Sequence, residues 1–292
     1  MSDATPTLMR RRLGAILRTM RVRAGLNLVD SAKLLGLSGA PTLSKIENGK
    51  QRPELDRFFE VYGVEDAVQI AEVRRIARFA EAGRRKNLFA QYGDAIRAPF
   101  ADFIELEEVA HHADTYAALV IPGLLQTVNY AHAVIEGSSM WSTAREVRTF
   151  TELRMKRQTV LTYRQGEAAG PAAPLSMWCV LDEACLRRQV GGPAVLRGQL
   201  EHLLDKSELP NVDLQVLPFA AGVHTGIDGA YTVFRFDAGE PVVALEPLTT
   251  SIYLEEDSHV GRYESALGRL RERALAPDSS RDFIKRILKE TQ

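Results

Sequence analysis

The sequence predicts an all-α N-terminal helix-turn-helix bundle followed by a mixed α/β C-terminal domain. Three observations carry that expectation. Up to about residue 80, apolar side chains recur at i, i+3, i+4 spacing and are broken by single glycines, as in short packed helices. After Pro174 come short runs rich in β-branched and aromatic residues, bounded by Gly, Pro or Asp, as in strands. The charge also divides: residues 1–60 hold 11 Lys/Arg against 6 Asp/Glu, a net of +5, and the remainder nets −6. A basic head on an acidic body is the distribution of a nucleic-acid reader joined to something else. A length of 292 residues suits about two domains. They are placed at 9–79 and 99–292, with a connector at 80–98.

The first helix is expected from about Met9 to Ala24, with Leu13, Ile16, Leu17 and Met20 on one face and Gly25 at its end. Residues 1–8, small and polar, are expected to lie outside the fold. Asn27 suits an N-cap, with Asp30 three residues on. Gly36 permits a sharp turn after Ala32 and Leu35. Pro41 fits the first turn of a third helix, on which Leu43 and Ile46 face inward and which Gly49 closes. Thr42, Ser44, Lys45 and Asn48 are left for its other faces: short polar groups and one cation, the chemistry that base edges and phosphates require. Lys50, Gln51 and Arg52 follow, and Arg10, Arg11 and Arg12 open the first helix as further phosphate candidates. A fourth helix, from about Pro53 to Tyr62, turns Leu55, Phe58, Phe59 and Tyr62 inward. A long helical stretch from Val64 to Ala82 offers Val68, Ala71, Ile76 and Phe79.

Ala32 and Gly36, four apart, followed by the run LSKIENG at residues 43–49, resemble the Xre helix-turn-helix family. The SxIENG ending is the more specific part. One feature departs from the family: six residues, LSGAPT, separate Gly36 from Leu43 where five are usual, so Gly39, Ala40 and Pro41 stand in for polar residues. The resemblance implies that Arg21, late in the first helix, pairs with Glu47 as a structural brace and not as a DNA contact.

In the C-terminal half, helices are expected at FADFIELEEVA, at TVNYAHAVIEG, along the stretch from Ser142 to Tyr163, and from about Pro193 to Leu204. Two more close the chain, about Ser258–Arg273 and Ser279–Lys289. A short strand falls in HADTYAALV, and others at LSMWCVL, VDLQVLPF, AYTVFRF, PVVALEPL and TSIYLEE. The stretch GEAAGPAAP, residues 166–174, is expected to be a surface loop. The segments VIPGLLQT, VLDEACLRRQVGG, LPFAAGVHTGIDGAYTVFRF and YLEED, in this order, resemble the C-terminal domain of the actinobacterial WhiJ-like regulators, a domain of unknown function. That resemblance implies a transcriptional regulator, often acting with a small BldB-like partner protein.

Several chemistries find no support in the residues. Cys179 and Cys185 form no CxxC pair and suit small buried apolar groups; His111 and His112 are adjacent, so on a strand they diverge. No phosphate-binding glycine loop, nucleophile elbow or HExxH helix occurs. No cofactor, metal or catalytic residue is expected. No apolar run approaches the roughly 18 residues of a membrane span, and no apolar signal core precedes the first basic cluster, so a cytoplasmic, nucleoid-associated protein is expected. The loop at Gly222, Gly226 and Gly229, centred on His224, has Trp178, Glu183, Arg187, Arg188, Glu246 and Tyr253 as candidate neighbours in a ligand pocket; a tight hairpin with an exposed histidine explains the same residues. The expected partners are double-stranded DNA bearing an inverted repeat, a second copy of the chain, and either a small-molecule effector or a small protein. A DNA-binding head fused to an enzymatic domain is the alternative.

Overall fold

The computed structural model describes residues 6–82, 98–138, 143–165, 171–247 and 250–291. Two compact units emerge: Met1–Gly93 together with Phe236–Glu240, and Asp94–Arg235 together with Pro241–Gln292. Most of the expected connector, residues 83–97, lies outside the described residues, as does the first part of the expected loop at 166–174.

In the first unit five helices pack together: α1 (Leu8–Arg23), α2 (Leu28–Leu34), α3 (Ala40–Glu47), α4 (Leu55–Tyr62) and α5 (Ala67–Ala82). Each boundary has a local cause. The Thr7 hydroxyl accepts from the Arg10 N–H at the start of α1, and the Asn27 Oδ1 accepts from Val29 N and Asp30 N at the start of α2. Gly25, Gly36, Gly49 and Gly63 follow α1 to α4 in the left-handed conformation. Two expectations need correction. Thr7 caps a helix and Leu8 is fully buried, so residues 6–8 belong to the fold. On α5 the inward side chains are Val73, Ile76, Ala77 and Ala80, whereas Val68 is 63% exposed. The apolar stripe of α5 is broad, and its packing against α1 selects one side of it.

α1 crosses the end of α3 at Gly14. A Cβ built there would lie 2.4 Å from the Glu47 carbonyl oxygen, a backbone atom that cannot step aside. Gly14→Ala is therefore expected to destabilise by about 1–3 kcal/mol from overpacking, although alanine is the better helix former by about 1 kcal/mol. A fall in melting temperature of the variant by circular dichroism checks the sign.

The second unit is a three-layer α/β structure. Its six-stranded sheet runs in the order β5-β4-β1-β6-β7-β8, from β1 (His112–Ala117), β4 (Ser176–Asp182), β5 (Val212–Leu217), β6 (Tyr231–Arg235), β7 (Val242–Leu245) and β8 (Ile252–Leu254). The pairs β5–β4 and β4–β1 are parallel, and the rest are antiparallel. A small ribbon, β2 (Arg164–Gln165) with β3 (Pro171–Ala172), stands apart. The helices are α6 (Ala98–Val109), α7 (Val128–Gly137), α8 (Ala144–Arg157), α9 (Glu183–Arg187), α10 (Pro193–Lys206), α11 (Asp257–Arg273) and α12 (Pro277–Glu290). The strands and five of these helices match expectation to within a few residues; α8 stops at Arg157, short of the expected Tyr163, and a 3-10 turn at Gln158–Leu161 follows it, while the five-residue α9 and the β2–β3 ribbon are not expected from the sequence.

Strand alternation assigns the two faces. Tyr116, Val180, Tyr231, Val233 and Val243 form one core with Val260, Leu267 and Leu270 of α11. Ala113, Thr115, Met177, Thr232, Phe234 and Ala244, of the opposite parity, face α6 and α8. Phe103 of α6 meets the Phe234 ring edge-on at 5.4 Å. The edge strand β5 is closed by the turn between α11 and α12: Leu275 N donates to Val216 O, and Val216 N donates to the Ser280 hydroxyl.

Candidate functional site

The ending IENG of α3 has a separate physical reason at each position. Ile46 is buried with Leu43. Glu47 accepts from Arg21 Nε at 2.6 Å and Nη2 at 3.1 Å, with both side chains buried, and Arg18 approaches it at 3.3 Å from the exposed side. The hydrogen bond to Glu47 holds the Arg21 pKa above its ordinary value despite burial. Asn48 donates to the Ser44 carbonyl at 2.7 Å, closing the last turn. Gly49 takes φ +70°, and a Cβ there would meet the Arg10 backbone at 2.7 Å. The pairing of Arg21 with Glu47 thus exists, and it ties α1 to the helix whose other faces are free.

Those faces carry the expected DNA candidates in different states. Lys45 is exposed, and Thr42 and Ser44 are half-buried. The Thr42 hydroxyl is hydrogen-bonded to Ser38 at 2.6 Å, and the Asn48 amide is engaged with Ser44. Lys50, Gln51 and Arg52 are exposed and line, with Arg10 and Glu81, a groove of about 220 Å³ beside the end of α3. One basic residue is corrected. Arg12 is only 4% exposed: its guanidinium lies 3.4 Å from the Phe236 ring centroid and donates to the carbonyls of Ala238 and Glu240. It is a packing residue, so it makes no phosphate contact. Arg10 and Arg11 are half-buried, Arg10 donating to Ala80 O and Arg11 to Pro6 O.

The residues expected around a ligand in the second unit do not converge. Trp178 lies on the α11 face, where Nε1 donates to Gln215 and Arg271 stacks 4.1 Å from its ring. Glu183 and Arg187 are paired at 2.5 Å, Arg187 reaching on to Glu290 and Glu183 also accepting from Phe219 N. His224 packs edge-on against the Tyr116 ring with Nε2 3.7 Å from Asp182, while the Arg188 guanidinium donates to Leu119 O. Tyr253 sits on the edge strand β8. Strand parity sends Trp178 to one side of the sheet, and the helix contacts disperse the rest.

A cavity does open on the other face, between the sheet and the α6–α8 layer, with a volume of about 280 Å³. Of the expected residues only Glu246 lines it. Its polar wall is otherwise Thr115, Thr232, Gln126, Arg154, Arg157 and Glu107, and its apolar wall includes Phe103, Phe234, Ile121 and Met177. Arg157 and Glu107 form a bidentate pair at 2.8 and 2.7 Å, each about 5% exposed. Burial alone would lower the Arg157 pKa, but Glu107 more than offsets it. Arg154 donates to Gln126 Oε1 at 3.0 Å. Burial and the neighbouring Arg157 bring its pKa down to about 10. Glu246 is pushed up by burial. By accessible surface Arg154 is half-buried and Glu246 exposed, and both line the cavity. No local spacing announces this set, because it is drawn from elements as far apart as α6 and the end of β7.

Cys179 and Cys185 are buried free thiols, as expected, with burial raising both; Cys185 is pushed up to about 12. Among the described residues no cluster of His, Cys, Asp and Glu could hold a metal ion, and no helix is long and apolar enough to cross a membrane.

Comparison with known proteins gave two matches. A family model described as a domain of unknown function, DUF5753, matches residues 100–286, and one described as a helix-turn-helix domain matches residues 12–85. No curated protein and no solved structure matched. The second match agrees with the geometry of α2 and α3 and marks the first unit as the DNA-binding part of a regulator.

Proposed function

This chain belongs to the DUF5753 family, and from that premise we propose that it is a sequence-specific transcriptional regulator of the Xre type, akin to the actinobacterial WhiJ-like group. Its α3 enters the major groove, and its C-terminal domain sets DNA affinity by binding a small molecule. The observation that carries the first half is the braced α3: Arg21 and Glu47 fix its inner face, leaving Lys45, Ser44 and Thr42 outward for base edges and phosphates, with Lys50, Gln51 and Arg52 beside them. One such unit makes few base contacts, so the active form is a homodimer reading an inverted repeat. The second half is supported by the cavity with its paired and unpaired charges. In this reading the domain acts by binding and not by catalysis.

The test is selection from random duplexes with the purified full-length chain, followed by sequencing of what it retains. An enriched inverted repeat is expected. Lys45→Ala should then weaken binding and reduce the slope of log affinity against log salt by about 1, with no change in melting temperature. Retention of no particular sequence would defeat the proposal.

One observation favours a protein partner as a second effector. Phe219, Val223 and Ile227 are 58%, 79% and 68% exposed on the segment between β5 and β6. Such a patch suits a small protein, of which a BldB-like one is the candidate by resemblance. Co-purification that is lost on Val223→Asp would support this route; unchanged recovery would remove the patch from it.

A further inference from the structure

We propose that the cavity between the sheet and the α6–α8 layer takes a small zwitterion, an α-amino carboxylate with an apolar or aromatic side group. Its carboxylate lies on Arg154 and its ammonium group toward Glu246. The proposal rests on the reading of this domain as a ligand sensor and names the class of ligand.

The charges on the cavity wall lead there. The cavity wall holds two cations and two carboxylates, but they are not two ion pairs. Arg157 and Glu107 close on each other through two hydrogen bonds and leave little charge to offer. Arg154 commits one N–H to Gln126, and among the described residues no carboxylate lies within ion-pair distance of it; its other donors are available to an anion. Glu246 likewise has no hydrogen-bond or ion-pair partner among the described residues. Arg154 and Glu246 feel each other's charge without touching.

A purely anionic ligand would satisfy Arg154 and face Glu246 with like charge. A cation would do the reverse. A ligand carrying both charges on neighbouring atoms meets each wall charge with its opposite. The remaining walls set the rest of the molecule. Phe103, Phe234 and Met177 take an apolar group, and the Thr115 and Thr232 hydroxyls, 3.1 Å apart, remain able to bond to it. A volume of about 280 Å³ sits at the small end of ligand sites, which suits a single amino acid and not a nucleotide.

The test is calorimetric titration of the full-length chain with L-phenylalanine, L-leucine, 3-phenylpropionate and phenethylamine, with thermal denaturation run beside it. Expected is binding of at least one of the two amino acids with a rise in melting temperature. The two phenyl compounds that lack one charge should bind at least about tenfold more weakly than L-phenylalanine. Arg154→Gln should abolish amino-acid binding. Glu246→Gln should bring L-phenylalanine and 3-phenylpropionate close to parity, so the second variant still decides if the first fails to fold. Failure of both amino acids to bind, stronger binding of 3-phenylpropionate, or indifference to the Glu246 change would overturn the proposal. The random-duplex selection reads separately: enrichment of an operator alongside no amino-acid binding would sink the ligand class and leave the regulator standing.

Discussion

Replacing Glu47 by alanine is expected to cost about 3–5 kcal/mol, most of the stability a small helical unit has. The carboxylate is buried and accepts two hydrogen bonds from Arg21, whose side chain is itself about 10% exposed. Without it a guanidinium stays inside with, among the described residues, the Leu26 carbonyl alone to receive its protons. Arg18 cannot compensate, since it is a second cation that offers donors and no acceptor. The loss should be local. Hydrogen exchange of the α1 and α3 amides should quicken by orders of magnitude, while amides of the six-stranded sheet keep their protection. DNA binding should vanish with the fold of α3. Equal quickening in both units would contradict the assignment, as would a variant as protected as the parent.

Glu107→Ala is expected to be as damaging in the second unit, again by about 3–5 kcal/mol. Arg157 would be left uncompensated beside Arg154, whose own pKa burial and the charge of Arg157 already lower. The Glu107 backbone also serves here, its carbonyl accepting from Arg164, and the substitution does not disturb that contact. Unfolding in urea followed by tryptophan emission reports the change, because Trp178 packs on the opposite face of the same sheet. Glu107→Gln, which keeps acceptor geometry without charge, should recover part of the loss. A midpoint unchanged by the alanine substitution would show that the pair carries no net weight.

Much of the first unit was legible in the sequence because its determinants are local. Caps, glycines and three- or four-residue spacings lie within a turn or two of what they control, so Asn27, Gly36, Pro41 and Gly49 could be read directly. The brace from Arg21 to Glu47 is implied by family resemblance and not by local spacing, and the two side chains do pair. Arg12 was misread for the opposite reason. In a run of three arginines nothing nearby separates one from the next; a partner more than two hundred residues away does so. The strands were likewise visible, but their order was not, and order decides which residues share a face. Trp178 and Thr115 lie on strands that pair side by side, yet opposite parity sends one to α11 and the other to the cavity. Of the residues named around His224, only Glu246 therefore lines the cavity.

The first unit is discontinuous along the chain: residues 236–240 complete it, with Gly239 at φ +83° pressed so near Ile16 that a Cβ would sit 2.8 Å away. The strands on either side of that tip, β6 and β7, supply Thr232, Phe234 and Ala244 to the cavity wall. No single cut releases the DNA-reading part whole. A fragment ending near residue 93 would leave a buried guanidinium facing the hole where two carbonyls had been, and such a fragment's behaviour would misrepresent the parent.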